Sequence, residues 1–458
     1  MQYYTESPKQ LPVKRFDVVI VGGGTAGVVA ALAAARQGVK TALVESKGYL
    51  GGIAVDGGTA LHSYYNLWKA FPGVEKKQLV KGIPQEIIDR LVSVGGTTGH
   101  TEMLVRYDYD SVCTAIDTEL FKLVVFEMLN EAGVYICVNT LLAGAIMEGS
   151  KLQGVIVESR SGREAFLAQS FLDCTGYGDL CAHAGAEFIE PNDHPVANSI
   201  GVGNVSLEKY YDYFKSHSAL TEYAEGFRSG EPGKVVRVNG DRKKISAEFA
   251  EEARKIQMGA VTTSVHDNYF MFIKLNYKMS VSPTNRDQVS LAELELRKRQ
   301  TKAVELLRKY IPGCEKAFIA RTSPSLSIRR GRCITCDYDL SIDEIVNCQH
   351  FEDDIMTYGF HDYAPRIQIK NGGSYGIPYR ALRVKGIDNL LTAGMTITSS
   401  WEAHMSTRNT VCCMGQGQAA GTAAALCAKE GLGSRELSYT LLRKTLLHDG
   451  VYLEEVDQ

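Results

Sequence analysis

A glycine turn wedged between a strand and a helix near the front of this chain leaves it few ways to fold. Phe16-Asp-Val-Val-Ile-Val21 is a short β-branched run, and Gly22-x-Gly24-x-x-Gly27 follows it directly. Ala26 to Gln37 is Ala-rich and helical, closed by Gly38, and Val39 to Glu45 is again a strand. A strand-helix-strand unit of this length demands a parallel sheet. Gly22 permits the tight turn, Gly24 lets backbone N–H groups approach a pyrophosphate, and Gly27 lets helix and strand pack closely. The helix N-terminus favours an anion there. Glu45 lies 21 residues after Gly24, at the end of the second strand, where a carboxylate accepts both hydroxyls of an adenosine ribose and disfavours a 2′-phosphate. The unit is therefore read as a dinucleotide site.

The rest of the chain is long enough for more than this. Its 458 residues are roughly three times the ~150-residue prior for one domain. Hydrophobic residues at 45% and charged residues at 22% match a globular protein and exclude a largely disordered one. Fifty Lys and Arg against 53 Asp and Glu give a formal charge of −3, without the basic excess of a dedicated nucleic-acid binder. The first residues lack the charged start and apolar run of a secretory signal. No uncharged apolar run of about 18 residues occurs, so no membrane span is expected. Eleven cysteines, an odd number, read as reduced thiols in a cytoplasmic protein.

No repeat of about 20–50 residues is visible, which removes solenoids and propellers. A helix is predicted from Thr118 to Asn130, with Asp117 and Glu119 suiting its N-terminus, and a strand from Val134 to Val138. Leu141 to Met147 and Leu152 to Glu158 flank a Gly-containing turn as a hairpin. Phe166 to Leu172 feeds the cluster Cys174-Thr-Gly-Tyr-Gly-Asp179 as one segment. Residues 196–369 change character: long charged helices at Ser246 to Gln257 and Leu291 to Lys309, and several tyrosines, suggest a separate lobe inserted into the first. Nucleotide-domain texture returns at Ile387 to Gly394 and in the Gly/Ala-rich helix Gly415 to Lys429.

The glycine clusters choose among dinucleotides. Gly48-Tyr-Leu-Gly-Gly52 follows Glu45 where an NAD-only fold would continue with further strand-helix units, and Thr175-Gly-Tyr-Gly-Asp179 and Thr392-Ala-Gly394 return much later. With these, the chain resembles the FAD-dependent oxidoreductases related to the fumarate reductase and succinate dehydrogenase flavoproteins. The anchors are VIVGGGTAGVVAALAAARQGVKTALVE, GGIAVDGG (Gly51 to Gly58), FLDCTGYGDLCAHAGAEF, and IPYRALRVKGIDNLLTAG leading into GQGQAAGTAAAL. Arg329-Arg-Gly-Arg332-Cys, with Tyr338 and Leu340-Ser341, is similar to a family segment of Arg-Glu-Ser-Arg-Arg followed by Tyr and Leu-Thr.

The resemblance implies an α/β fold: a Rossmann-like FAD-binding domain of the glutathione-reductase-like flavoprotein type with an inserted α+β substrate or cap domain. The divisions are 1–195 and 370–435 for FAD binding, 196–369 for the insert, and 436–458 for a C-terminal helix or tail. It implies FAD contacts at Gly22, Gly24, Thr25, Ala26 and Gly27, at Glu45 and Ser46, and at Gly51, Gly52 and Leu142. Further contacts are implied at Thr175, Gly176 and Asp179 and at Gly394, Gly417 and Gln418. Two departures stand out. The chain has Gly394-Met395 where relatives have Gly-Asp or Gly-Arg, and residues 46–58 hold none of the His that covalently flavinylated members carry, so dissociable FAD is expected.

Flavin chemistry needs a proton handled and a substrate held. The segment Ser399-Ser-Trp401-Glu402-Ala-His404-Met-Ser-Thr-Arg408 lies between the last FAD strand and helix. His404 and Arg408 are four apart, one face of a helical turn, where imidazole could take a proton and guanidinium hold a carboxylate or oxyanion, or both could be structural hydrogen-bonders. Arg329 and Arg332 contact substrate or merely pair, and His361, in the polar loop with Asp362, Tyr363 and Arg366, is a further candidate. His62 follows the glycine loop, though a lone His is more often a satisfied polar residue. Cys333-x-x-Cys336 lacks the four-ligand spacing of a cluster, so no metal is expected, and Cys412-Cys413 read as helix packing, with a dipole-lowered thiol as the alternative.

The function read from this is hydride transfer between FAD and a hydroxylated or carboxylated small molecule. The alternatives are an oxygen-using oxidase or hydroxylase and an electron-transfer subunit. No second strand-GxGxxG-helix occurs between 196 and 369, so electrons must be exchanged with a separate partner, the substrate or oxygen. No nucleic-acid or membrane partner is expected, and the chain is compatible with a homo-oligomer.

Overall fold

The computed structural model describes residues 4–57, 60–228, 231–260 and 262–455; Gly58, the last residue of the GGIAVDGG anchor, lies outside them. The β-branched run forms the strand Val18–Val21, all four residues buried. It is the middle of a five-stranded parallel sheet in the order Leu390–Thr392, Ser170–Asp173, Val18–Val21, Thr41–Val44 and Tyr135–Cys137. Its side chains alternate between two cores. Val18 and Ile20 pack with the helices Thr25–Arg36, Thr118–Glu131 and Thr410–Glu430, while Val19 and Val21 pack with Leu152, Val155 and Phe166 of a second, mostly antiparallel sheet. A strand buried on both faces explains an apolar run without polar alternation.

The hairpin forms as Leu141–Glu148 and Lys151–Ser159. The segment read as continuous from Phe166 to Leu172 is instead split. Gly162–Leu167 joins the antiparallel sheet and Ser170–Asp173 the parallel one, so the chain changes layers at Ala168 and Gln169. The helix Thr118–Glu131 is capped by Asp117, whose carboxylate accepts from Glu119 N at 2.9 Å and Leu120 N at 3.1 Å.

The second lobe is built on the antiparallel strands Met258–Ala260, Tyr269–Tyr277, Val196–Gly203 and Phe318–Thr322, backed by the 25-residue helix Arg286–Tyr310. Its own core runs from Val196 to Ile328. Leu340, Ile345, Ile355, Tyr358, Phe360 and Ile369, placed with the insert by sequence texture, pack into the first lobe's core. The irregular sequence that set this stretch with the insert hides apolar residues that pack with the helix Thr410–Glu430. Leu442 and Leu446 of the helix Tyr439–His448 enter the same core.

Where the cavities lie, the contacts between the lobes include several onto one short helix. Arg321 donates to the carbonyl of Val55 at 2.7 Å, Ser199 to that of Gly57 at 2.6 Å, and Ser323 to that of Asp56. These satisfy the carbonyls ending the short helix Ile53–Gly57. Among the described residues no helix is long and apolar enough to cross a membrane.

Candidate functional site

The glycine turn, Glu45 and the two later glycine clusters converge on one cavity of about 440 Å³. Gly22 has φ +100°, and a Cβ on it would collide with the backbone of Cys174; a Cβ on Gly27 would strike the Gly22 carbonyl. Gly24 caps the helix Thr25–Arg36 without any side-chain hydrogen bond, and Gly24, Thr25 and Ala26 line the cavity. An uncapped helix start opening into a cavity has free N–H groups for an anion.

Glu45 sits beside it. One carboxylate oxygen accepts from Gly23 N at 2.7 Å, and the other from Ser46 Oγ at 3.0 Å and Lys47 N at 2.7 Å. Three of the carboxylate's roughly four lone-pair positions are thus taken, and the oxygen facing Gly23 keeps one for a ligand hydroxyl. Ser46, Gly52, Leu142, Thr175, Gly176, Asp179 and Gly394 also line this cavity. Its donors, its acid and its volume fit an adenine dinucleotide.

Three residues implied for that role do other work. Gly51, at φ +107°, faces Val55 and Phe121. Gly417 lets the helix Thr410–Glu430 touch the carbonyl of Ala26. Gln418 accepts from Ile83 N at 2.9 Å and donates to Asp449 O at 3.1 Å. The glutamine of this helix that bonds a cavity-lining residue is Gln416, fully buried, which accepts from Gly394 N at 2.9 Å and donates to Thr407 O at 2.8 Å.

A second cavity of about 310 Å³ shares Ile53, Ser327, Ile328, Met395 and Arg408 with the first. The first lobe gives it His62, Tyr109 and Asp362, and the insert gives Ser199, Phe272, Lys274 and Asn276. Arg237 lines it from the insert and is locked on both sides. It binds Glu222 at 2.7 Å through Nε and donates to His62 Nε2 at 2.8 Å, while His62 Nδ1 meets Asp110 at 2.6 Å. Burial alone would lower the Arg237 pKa, but Glu222 holds it raised, and burial of Glu222 is outweighed by Arg237 so that its carboxyl stays below its ordinary value. Tyr109 donates to Asp362 at 2.9 Å, and the other Asp362 oxygen pairs with Arg408.

Arg329 is the exception in this wall. It lines the cavity, and among the described residues it has no hydrogen bond or ion pair. Burial, then the field of Arg408, lowers its pKa to about 10. Ser327 Oγ, on the wall shared by both cavities, and Arg408 Nε are buried without partners. A half-buried cation and buried polar atoms left unpaired are what a polar, anionic ligand would satisfy.

The other catalytic candidates lie elsewhere. His404 lines neither cavity: it is fully buried, its Nε2 donates to Met395 O at 2.9 Å, and burial, reinforced by Arg408, holds its pKa well below the ordinary value. Only Arg408, which caps the helix Trp401–Thr407, reaches ligand space. His361 bonds Glu402 O at 2.7 Å and accepts from Tyr363 N at 3.1 Å, so the loop contributes Asp362 instead. Arg332 pairs with Asp179 at 2.8 Å and donates to Tyr177 O at 3.0 Å, bracing the first cavity. Tyr109 and Arg237 have no local motif; only the run of acids and tyrosines at 107–110 hinted at the former.

The thiols are not activated. Cys412 is fully buried, and burial, not the helix dipole, decides Cys413, pushing its pKa up to about 12. Among the described residues no group of three His, Cys, Asp or Glu side chains is arranged to hold a metal.

Residues 17–446 match a family model described as FAD dependent oxidoreductase. A dihydrolipoyl dehydrogenase of Trypanosoma brucei brucei is 35% identical over 102 residues, covering 20% of this chain and 21% of that protein. A 3-oxosteroid 1-dehydrogenase of Mycolicibacterium smegmatis is 34% identical over 94 residues, covering 20% and 16%. The matches thus span about a fifth or less of the curated relatives' length. A geranylgeranyl bacteriochlorophyll reductase-like protein of Thermoplasma acidophilum superposes with a TM-score of 0.48 at 14% identity, covering 94% of this chain and 82% of that one.

Proposed function

The chain belongs to the FAD dependent oxidoreductase family, and from that premise we propose that it exchanges hydride with a small polar molecule carrying an anionic group, bound in the second cavity. Its cofactor is FAD, which when bound supplies the two-electron chemistry. We assign the pyrophosphate to the backbone at Gly22, Gly24, Thr25 and Ala26, the adenosine ribose to Glu45, and the remaining contacts to Gly52, Leu142, Thr175, Gly176, Asp179 and Gly394. FAD is held without a covalent bond in this reading, which the lack of His in residues 46–58 supports. The kinship with fumarate reductase and succinate dehydrogenase flavoproteins belongs to the same proposal and rests on the glycine clusters and the Arg329 to Arg332 segment.

The carrying observation is Arg329, an unpaired, half-buried guanidinium beside the wall shared with the cofactor cavity. It binds the substrate's anion, and Arg408, steadied by Asp362, orients the remainder. Charge-assisted bonds of this kind are the strong ones in a dry site. The insert walls one side of the cavity through Ser199, Phe272 and Asn276. Electrons reach or leave the protein through a separate partner. The test is to purify the protein, record its visible flavin band, and screen carboxylated and hydroxylated metabolites for bleaching without oxygen. Bleaching by anionic compounds alone supports the reading, and bleaching only by uncharged ones contradicts it.

A further inference from the structure

Resting on that reading of the second cavity, we propose that Tyr109 and Asp362 form a two-step proton relay, which makes the preferred substrate an alcohol next to a carboxylate, a 2-hydroxy acid. A phenolic hydroxyl has one proton to give and lone pairs to accept with. The Tyr109 proton is committed to Asp362 Oδ1 at 2.9 Å. What Tyr109 offers a ligand is therefore an acceptor, which a substrate hydroxyl satisfies and a CH₂ group or a carbon–carbon double bond does not. Asp362 cannot turn away, because its other oxygen is held by Arg408.

The bond changes balance. The substrate O–H breaks and its proton passes to Tyr109 Oη; the Tyr109 O–H breaks and that proton passes to Asp362 Oδ1; the C–O bond becomes C=O. The carbinol hydrogen leaves with both bonding electrons as the hydride that FAD chemistry accepts. Tyr109 stays neutral throughout, as burial and then the charge of Asp362 require by raising its pKa well above normal. The groups facing Tyr109 are Asp362, Arg329, Arg106 over its ring at 4.8 Å, the edge of His62 at 6.0 Å, and Arg237 and Glu222, with Arg408 behind Asp362. His62 does not compete for the role, because Asp110 and Arg237 occupy both its nitrogens.

The experiment uses the FAD-loaded protein and a pair of probes, 2-hydroxy-2-methylpropanoate and 2-methylpropanoate. The first has a hydroxyl but no carbinol hydrogen, so binding is read without turnover by calorimetry. Wild type should bind the hydroxy acid at least about tenfold more tightly. Tyr109→Phe should bind both probes equally, with FAD content and melting temperature unchanged. Asp362→Asn should keep the preference yet slow bleaching by lactate or malate about 100-fold. Equal affinities in wild type, or a preference surviving in Tyr109→Phe, would overturn the relay. If both probes bind equally and Arg329→Gln abolishes both, the anion-cavity reading stands and only the relay falls; if neither probe binds, both fall.

Discussion

Arg408 holds Asp362 through one terminal nitrogen and leaves its own Nε buried and unpartnered. Arg408 lines both cavities and Asp362 only the second, so the pair joins the substrate side to the wall shared with the first.

Replacing Arg329 separates binding from stability. Because Arg329 has no protein partner and is disfavoured by burial and by Arg408, Arg329→Gln should leave the melting temperature unchanged or raise it. The same variant should weaken binding of small carboxylates by roughly 10–100-fold, the scale of a lost buried charge-assisted bond. Calorimetry with propanoate and a thermal melt measure both; a lower melting temperature with unchanged affinity would make Arg329 structural.

Glu45→Gln keeps the size of the side chain but removes the charge that Gly23 N, Ser46 and Lys47 N donate to. Loss of a few charge-assisted bonds predicts FAD affinity reduced by about 10–100-fold. Fluorescence of released flavin on dilution measures it, and undiminished retention would move the ribose elsewhere.

Gly417→Ala should destabilise by about 1–3 kcal/mol or more, since its Cβ would enter the carbonyl of Ala26 and force two helices apart. Gly386→Ala is the contrast: its φ of +79° costs backbone strain, but nothing lies within 4 Å. Urea unfolding of both variants shows whether helix contact or backbone conformation dominates.

Acid should unfold the protein early. Burial holds His100 and His194 neutral, with pKa values lowered to about 4 against 6.5 when free. Between those values the unfolded chain binds more protons than the folded one, so stability is full above pH 6.5 and falls as the pH drops toward 4. Melting temperatures across that window check it, and His100→Gln should flatten part of the slope.

Much of the cofactor lobe was legible because its signals are local. The β-branched run, the glycine turn and Glu45 sit within one strand-helix-strand unit, and the hairpin around Gly149 is marked by its own turn. What failed depends on phase or distance. Gln416 rather than Gln418 reaches Gly394 because of how one helix is rotated, and two residues decide it. Tyr109 and Asp362 meet through long-range packing within the first lobe, Arg237 joins them only because the insert folds over it, and His404, promising by spacing from Arg408, is turned under Met395 by packing.

The most direct test loads the protein with FAD and titrates it anaerobically with propanoate while following the visible flavin spectrum. Cavities that share Ser327, Met395 and Arg408 predict a saturable spectral shift that Arg329→Gln removes. A protein that holds FAD and shows no response to small carboxylates, or one indifferent to Arg329, would contradict the account.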